Sequence, residues 1–251
     1  MIIDTHIHIG KTEKTERFFN IESYYKIMQD NNIDRSIIMP NLSNVIDSSI
    51  LNKCLIDDYV SSSLKENFNI IIVIDPKDRN TLDQISEYKD IICGLKYHPS
   101  ISDMEIDSVE MEDFLKIASE LRFPVLVHCG RYWKSGIKYL INASVKFKSI
   151  NFVGAHLGGN ATDVIEKSIK ILYSKKFPNI YLDTSAGKLP WLIEKAVNKL
   201  GSDKILFGSD EPYADVRIAK SCVELSNISQ DDKDKIFYKN VERVYKIKDI
   251  K

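Results

Sequence analysis

A chain of 251 residues with 43% hydrophobic content can bury one large core, so residues 1–251 are expected to form a single domain. Its 35 basic and 36 acidic residues nearly cancel, and a net charge of −1 offers no general attraction for nucleic acid or an anionic membrane, which leaves a small molecule as the expected partner. The four cysteines, Cys54, Cys93, Cys129 and Cys222, form no CxxC pair, which speaks against a zinc knuckle or a dense disulfide framework and fits a reducing cytoplasm.

No apolar run approaches the roughly 18 residues of a membrane span. Short runs rich in Ile and Val instead alternate with longer stretches of helical spacing. In chain order, a strand over 2–8 precedes a helix over 21–31, and a strand over 35–40 precedes a helix over 48–67. Strands over 69–75, 91–98 and 124–128 lead into helices over 81–89, 111–122 and 135–148. Strands over 151–156, 179–184 and 204–210 lead into helices over 161–174, 189–200 and 215–225. Most of the strands are apolar throughout and do not alternate, as expected of a parallel sheet covered by helices. Eight strand–helix pairs make an α/β, TIM-type (β/α)8 barrel the most economical architecture, with an open doubly wound sheet as the alternative. After Ser229, a helix-capping residue, 231–248 reads as a terminal helix packed through Ile236, Phe237, Val241 and Val244, with its lysines as a solvated face.

All five histidines, His6, His8, His98, His128 and His156, fall at or near the carboxyl ends of predicted strands. A barrel of this kind assembles its active site there. His6 and His8 are two apart on a strand and so share a face, which brings two neutral nitrogens toward one point. Such a pair suits a borderline metal such as zinc. His128 in VLVHCG and Asp210 in LFGSDEP are the candidates to complete a four-ligand site with room for a reactive water.

Around this core lie candidates for substrate contact. His98 closes the fourth strand and either touches substrate or bonds within a loop; Tyr97 precedes it. Arg131 and Trp133 follow His128 in a loop over the site, where a guanidinium could clamp a carboxylate or pair within the protein. Cys129 should point away from His128, because adjacent strand residues face opposite sides. Asp183 and Ser185 end the seventh strand and either line the pocket or cap the following turn. Gly158 and Gly159 read as a permissive turn.

IIDTHIHIG, VLVHCG, GAHLGG and FGSDEP, in this order along nearly the whole chain, resemble the amidohydrolase superfamily, in particular its amidohydrolase-related, metal-dependent hydrolase branch. The resemblance implies a metal-binding barrel with His6, His8, His128 and Asp210 as ligands and with His156 orienting or activating the nucleophilic water. Asp210 would take the proton of that water and return it to the leaving group. Binuclear relatives often carry a carbamylated lysine on the fourth strand, where this chain has Lys96, so Lys96 is the candidate bridge to a second metal unless it points outward or pairs with an acid. One divalent metal is the expected count, zinc first and manganese second. The expected activity is hydrolysis of a small-molecule amide, ester or lactone. Non-oxidative decarboxylation of an aromatic acid, in the manner of proteins resembling aminocarboxymuconate-semialdehyde decarboxylase, is the alternative. A phosphodiesterase resembling the TatD nucleases and a barrel that only binds metal are weaker alternatives. Several enzymes of this kind form dimers, which makes a homodimer compatible with the resemblance, although no apolar stripe marks an interface.

Overall fold

The computed structural model describes residues 1–11, 18–42, 45–187 and 189–247. Nine strands form one sheet: β1 (Ile3–Lys11), β2 (Phe18–Phe19), β3 (Arg35–Pro40), β4 (Phe68–Val73), β5 (Ile92–Tyr97), β6 (Val125–Val127), β7 (Phe152–Gly154), β8 (Ile180–Asp183) and β9 (Ile205–Leu206). β2 pairs antiparallel with β1 as a short outer ribbon, and the other eight run parallel in chain order. The sheet curls until the chain beyond β9 bonds back to β1. Thr5 N donates to Phe207 O (3.1 Å), Asp210 N to His6 O (2.9 Å) and His8 N to Glu211 O (2.9 Å). That closure makes the fold a barrel and excludes the open doubly wound sheet.

Burial on both faces explains why the strand sequences are apolar throughout. Ile38, Ile70, Leu95, Val125, Phe152 and Leu182 face the surrounding helices. Ile3, Ile37, Ile71, Leu126, Val153 and Leu206 face the barrel axis, where Val241, Val244 and Tyr245 of the terminal helix close the lower end. β1 reaches both layers through a register shift between Asp4 and Ile7. The shift changes the alternation, so that His6 and His8 face inward as Ile3 does, three residues before His6, while Asp4 faces outward toward Tyr24.

The predicted helices recur within a residue or two at most of their ends. The one predicted over 48–67 stops at Ser61, because Ser62 turns extended and its Oγ accepts the Leu64 N–H (3.1 Å) in place of a helical bond. A 3₁₀ turn at Lys65–Asn67 follows. The final strand is shorter than the predicted 204–210, because beyond Leu206 the backbone pairs with β1 and, through Phe207 N, with Ile236 O (2.8 Å). The terminal helix, whose predicted end at Lys248 lies outside the described residues, is interrupted by a π turn at Lys235–Lys239, consistent with Ile236 O being taken by Phe207. Ser229 caps its start through Asp232 N (3.1 Å). Among the described residues no helix is long and apolar enough to cross a membrane.

The Asn-x-x-Arg of the terminal helix anchors it to the base of β9. Asn240 Nδ2 donates to Ser202 O and Ile205 O (both 2.8 Å), and Arg243 donates to Asp203 O (2.8 Å). Removing a donor that serves two buried carbonyls costs about 1–3 kcal/mol. Asn240→Ala is therefore expected to lower the urea midpoint by that amount, and Asn198→Ala, at an exposed helix position, to stay within about 0.5 kcal/mol. Equal effects of the two would contradict the anchoring role.

Candidate metal centre

β1 supplies the first two donors. Ile7 packs outside the barrel, so its neighbours His6 and His8 turn toward the axis, with ring centroids 5.2 Å apart. The closing bond from Asp210 N to His6 O then fixes the third donor beside them. Asp210 Oδ1 lies 3.3 Å from His6 Nε2 and 3.4 Å from His8 Nε2. Among the described residues these three form a group whose ligand atoms all lie within 4.8 Å of one another. A tetrahedral shell with bonds of about 2.0–2.1 Å separates ligand atoms by about 3.4 Å, so the donor set fits a small divalent ion.

His128 and His156 stand beside this group. His128 Nδ1 is 3.1 Å from His156 Nε2, and its ring stacks on His98 with centroids 3.9 Å apart. Hydrogen-bond partners define the tautomers. Asp183 Oδ2 lies 2.9 Å from His6 Nδ1, and the Pro40 carbonyl lies 3.4 Å from His8 Nδ1; both can only accept, so each imidazole keeps its Nε2 lone pair. Ser185 Oγ donates to Asp183 Oδ1 and therefore accepts from His156 Nδ1 (2.7 Å). His156 Nε2 then accepts from His128 Nδ1, and His128 too is left with an Nε2 lone pair. Carboxylate-to-histidine contacts of this type orient metal-binding imidazoles.

Burial sets the protonation states. It lowers the pKa of His6, and Lys96 lowers it further; burial likewise outweighs Asp210 at His8 and takes His156 down to about 4. Burial works against ionised Asp183 and Asp210, but the imidazoles and their hydrogen bonds hold both below the ordinary carboxylate range. Neutral imidazoles beside carboxylates are the forms that bind metal at neutral pH. Two site residues also carry left-handed backbone, His156 at φ +60° and Asp210 at φ +74°, a conformation costly to non-glycine residues and common at functional sites.

Lys96 is buried and faces inward, with Nζ 3.0 Å from His6 Nε2, which removes the outward-pointing alternative. Desolvation lowers its pKa to about 8. His98 lines the cleft of about 410 Å³ over the site, with Asn41, Ser100, Asn160 and Tyr213. Three predicted substrate contacts do not reach that cleft. Tyr97, one residue from Lys96, faces the outer layer, where its hydroxyl donates to Met104 O (2.8 Å). Arg131 is exposed and paired with Asp163 (2.6 Å). Trp133 is 59% exposed, beneath the Lys134 amine. The loop after His128 runs away from the axis, which proximity in sequence does not reveal. Cys129 faces outward as expected, and burial pushes its thiol up to about 12. Gly158 adopts φ +78°, and a Cβ on Gly159 would sit 2.5 Å from Val164, as a turn that needs glycine requires.

Two residues not assigned from sequence as ligands or catalytic groups organise the site. Asp183 is completely buried, with one oxygen on His6 and the other on His156 N (2.8 Å), Ser185 N and Ser185 Oγ. Of the two expectations, pocket lining or turn capping, the bond from Ser185 N meets the second; the orientation of two imidazoles comes in addition, and only the strand-end position hinted at it. Asp4 Oδ1 accepts from His6 N (3.1 Å) and Ser209 N (2.9 Å), tying β1 to the segment that carries Asp210. Burial raises its pKa to about 7.

Residues 65–247 match the family model for amidohydrolases. That stretch carries Lys96, His128, His156, Asp183 and Asp210 but begins after His6 and His8. The 5-carboxyvanillate decarboxylase of Sphingomonas paucimobilis is similar in structure, with a TM-score of 0.77, 14% identity and coverage of 98% of this chain and 99% of that one. A dihydroxybenzoic acid decarboxylase from Polaromonas sp. JS666, with bound manganese and the inhibitor 2-nitroresorcinol, gives 0.74 at 16% identity, covering 98% and 96%. A probable 2-pyrone-4,6-dicarboxylic acid hydrolase from Acinetobacter baumannii, with citric acid bound, gives 0.72 at 16%, covering 98% and 99%. At these identities the likeness is one of fold. No curated protein matches the chain.

Two expectations follow from the geometry. Asp183→Ala removes the acceptor of His6 Nδ1 and is expected to weaken zinc or manganese affinity about 10–100-fold in competition with a chromophoric chelator; unchanged affinity would contradict the orienting role. His156 titrates near 4 when folded and near its ordinary 6.5 when unfolded. The unfolded chain thus takes up the proton first, and this contribution to stability, full above about pH 6.5, is lost as pH falls toward 4. Metal-free protein should show a falling urea midpoint across that window, with a shallower fall in His156→Gln; identical slopes would contradict it.

Proposed function

The chain belongs to the amidohydrolase family, and on that premise we propose that it hydrolyses a small-molecule amide, ester or lactone at one divalent metal held by His6, His8, His128 and Asp210. The observation that supports this reading most directly is the convergence of His6 Nε2, His8 Nε2 and Asp210 Oδ1 at the carboxyl end of the strands. An ion bound there lowers the pKa of water to about 7 and polarises a substrate oxygen.

The chain's own residues supply the rest. Asp210, ionised at neutral pH, accepts the proton of the attacking water and returns it to the leaving group. His156, held through Ser185 and Asp183, lines the cleft and accepts from His128 Nδ1 at Nε2, which positions the His128 imidazole. Asn41, Ser100, Asn160 and Tyr213 offer neutral hydrogen-bonding groups to a polar substrate, and His98 stacks behind His128. Zinc is the first choice of metal and manganese the second. Lys96 is assigned to the floor of the site, its amine 3.0 Å from His6 Nε2, rather than to a carbamylated bridge, since one divalent metal is the proposed count. Residues 1–251 act as one domain in this reading, since closure of the barrel needs both β1 and 207–211. The four free cysteines fit a reducing, cytoplasmic setting.

One observation favours decarboxylation as the second reading: the buried Lys96 amine is a cation on the cleft floor, suited to a substrate carboxylate. Zinc- or manganese-loaded enzyme incubated with esters, lactones, amides and aromatic acids separates the two. Hydrolysis is expected to yield a new carboxylic acid from one of the first three classes, with kcat about 10²–10⁴-fold lower in Asp210→Asn. Carbon dioxide release from an aromatic acid, with none of the others turned over, would replace hydrolysis by the second reading.

A further inference from the structure

A second cleft, of about 460 Å³, shares no lining residue with the cleft over the histidines. It opens where the helices over Thr162–Lys175 and Pro190–Leu200 meet the entry to β8 and the terminal helix, at the end of the barrel opposite the histidines. Its floor is apolar, with buried Leu172, Ile180 and Leu182. Its rim is basic, with Lys176, Lys199, Lys204 and Arg243.

Two of these cations face one ring. Lys204 Nζ stands 4.5 Å and Arg243 Cζ 5.6 Å from the centroid of Tyr181, and Lys199 Nζ stands 5.1 Å from that of Tyr173. Their hydrogen bonds go to neutral acceptors: Lys204 to Phe177 O and Pro178 O, Arg243 to Asp203 O and Asn240 Oδ1. Among the described residues no carboxylate lies within ion-pair distance of any of the four, and the neighbouring Asp203 directs its carboxylate at Lys235 (3.9 Å). Some other surface lysines are paired, as Lys116 is with Asp113, Lys146 with Glu112, Lys195 with Glu166 and Lys239 with Asp231; what sets these four cations apart is that they line one cleft. In a chain of net charge −1, four cations around one apolar floor are a local positive excess that attracts an anion. Burial and the charge of Arg243 together hold the Lys204 amine below its ordinary range.

We propose that this groove is a second binding site, for a small organic anion whose apolar body rests on Leu172, Ile180 and Leu182 and whose acidic group is held by Lys176, Lys199, Lys204 and Arg243. A carboxylate and a phosphate ester share this chemistry. The site is independent of the reaction at the histidines.

Fluorescence of anilinonaphthalene sulfonate, an aromatic anion, tests it on the full chain. One saturable site is expected, weakened by about tenfold or more in Lys176→Glu/Lys199→Glu, as expected for losing charge-assisted contacts. It should be unchanged in Lys26→Glu/Lys65→Glu, which alters net charge equally on another part of the barrel. Uncharged phenylnaphthylamine should respond little to either pair of substitutions. All four positions are exposed, so far-UV circular dichroism should match the parent. Displacement of the sulfonate by decanoate or by hexyl phosphate supports the site and identifies its acidic group. Equal sulfonate affinity in both double variants, or displacement by neither anion, would overturn it.

Discussion

The candidate site depends on one parallel pairing, that of β1 with residues 207–211. The bonds that close the barrel are the same bonds that bring Asp210 beside His6 and His8, with Asp210 N on His6 O and His8 N on Glu211 O. Residues about 200 positions apart thus become neighbours on one rim. The bulge in β1 lets the strand contribute Ile3 to the lower core and both histidines to the site. Asp4, facing outward, hydrogen-bonds across the seam to Ser209 N. Closure, core and donor set are one structural solution.

The electrostatics follow from burial under that rim. These imidazoles are buried enough to stay neutral, and the Nδ1 of His6, His8 and His128 each faces an acceptor, so their Nε2 lone pairs are turned to the site, where Lys96 Nζ stands 3.0 Å from that of His6. Asp183 is the hub, fixing His6 directly and His156 through Ser185. Left-handed backbone at His156 and Asp210 shows where packing overrides local preference to aim these two side chains.

Much of this was legible in the sequence, for identifiable reasons. Strands buried on both faces leave unbroken apolar runs, so every barrel strand was visible. The spacing of His6 and His8 fixes a shared face whatever the rest of the chain does. Strand-end position located His98, His128, His156 and Asp210. Direction was harder to read. Tyr97 was expected at the substrate although Lys96, one residue away, faces the site, and the two cannot share a face. Arg131 and Trp133 were placed by proximity along the chain, but the loop carries them outward to Asp163 and to solvent. Asp183 and Asp4 act through contacts across the barrel, which no local pattern encodes. The cationic groove likewise gathers residues from 176 to 243 that appear in sequence as scattered lysines and one arginine.

The account stands most directly on metal stoichiometry. Elemental analysis of protein purified without added metal is expected to find close to one zinc or manganese per chain, lost in His6→Ala and in Asp210→Ala while both variants keep the barrel's circular dichroism. Wild-type protein that contains no divalent metal and takes up none on reconstitution would contradict it.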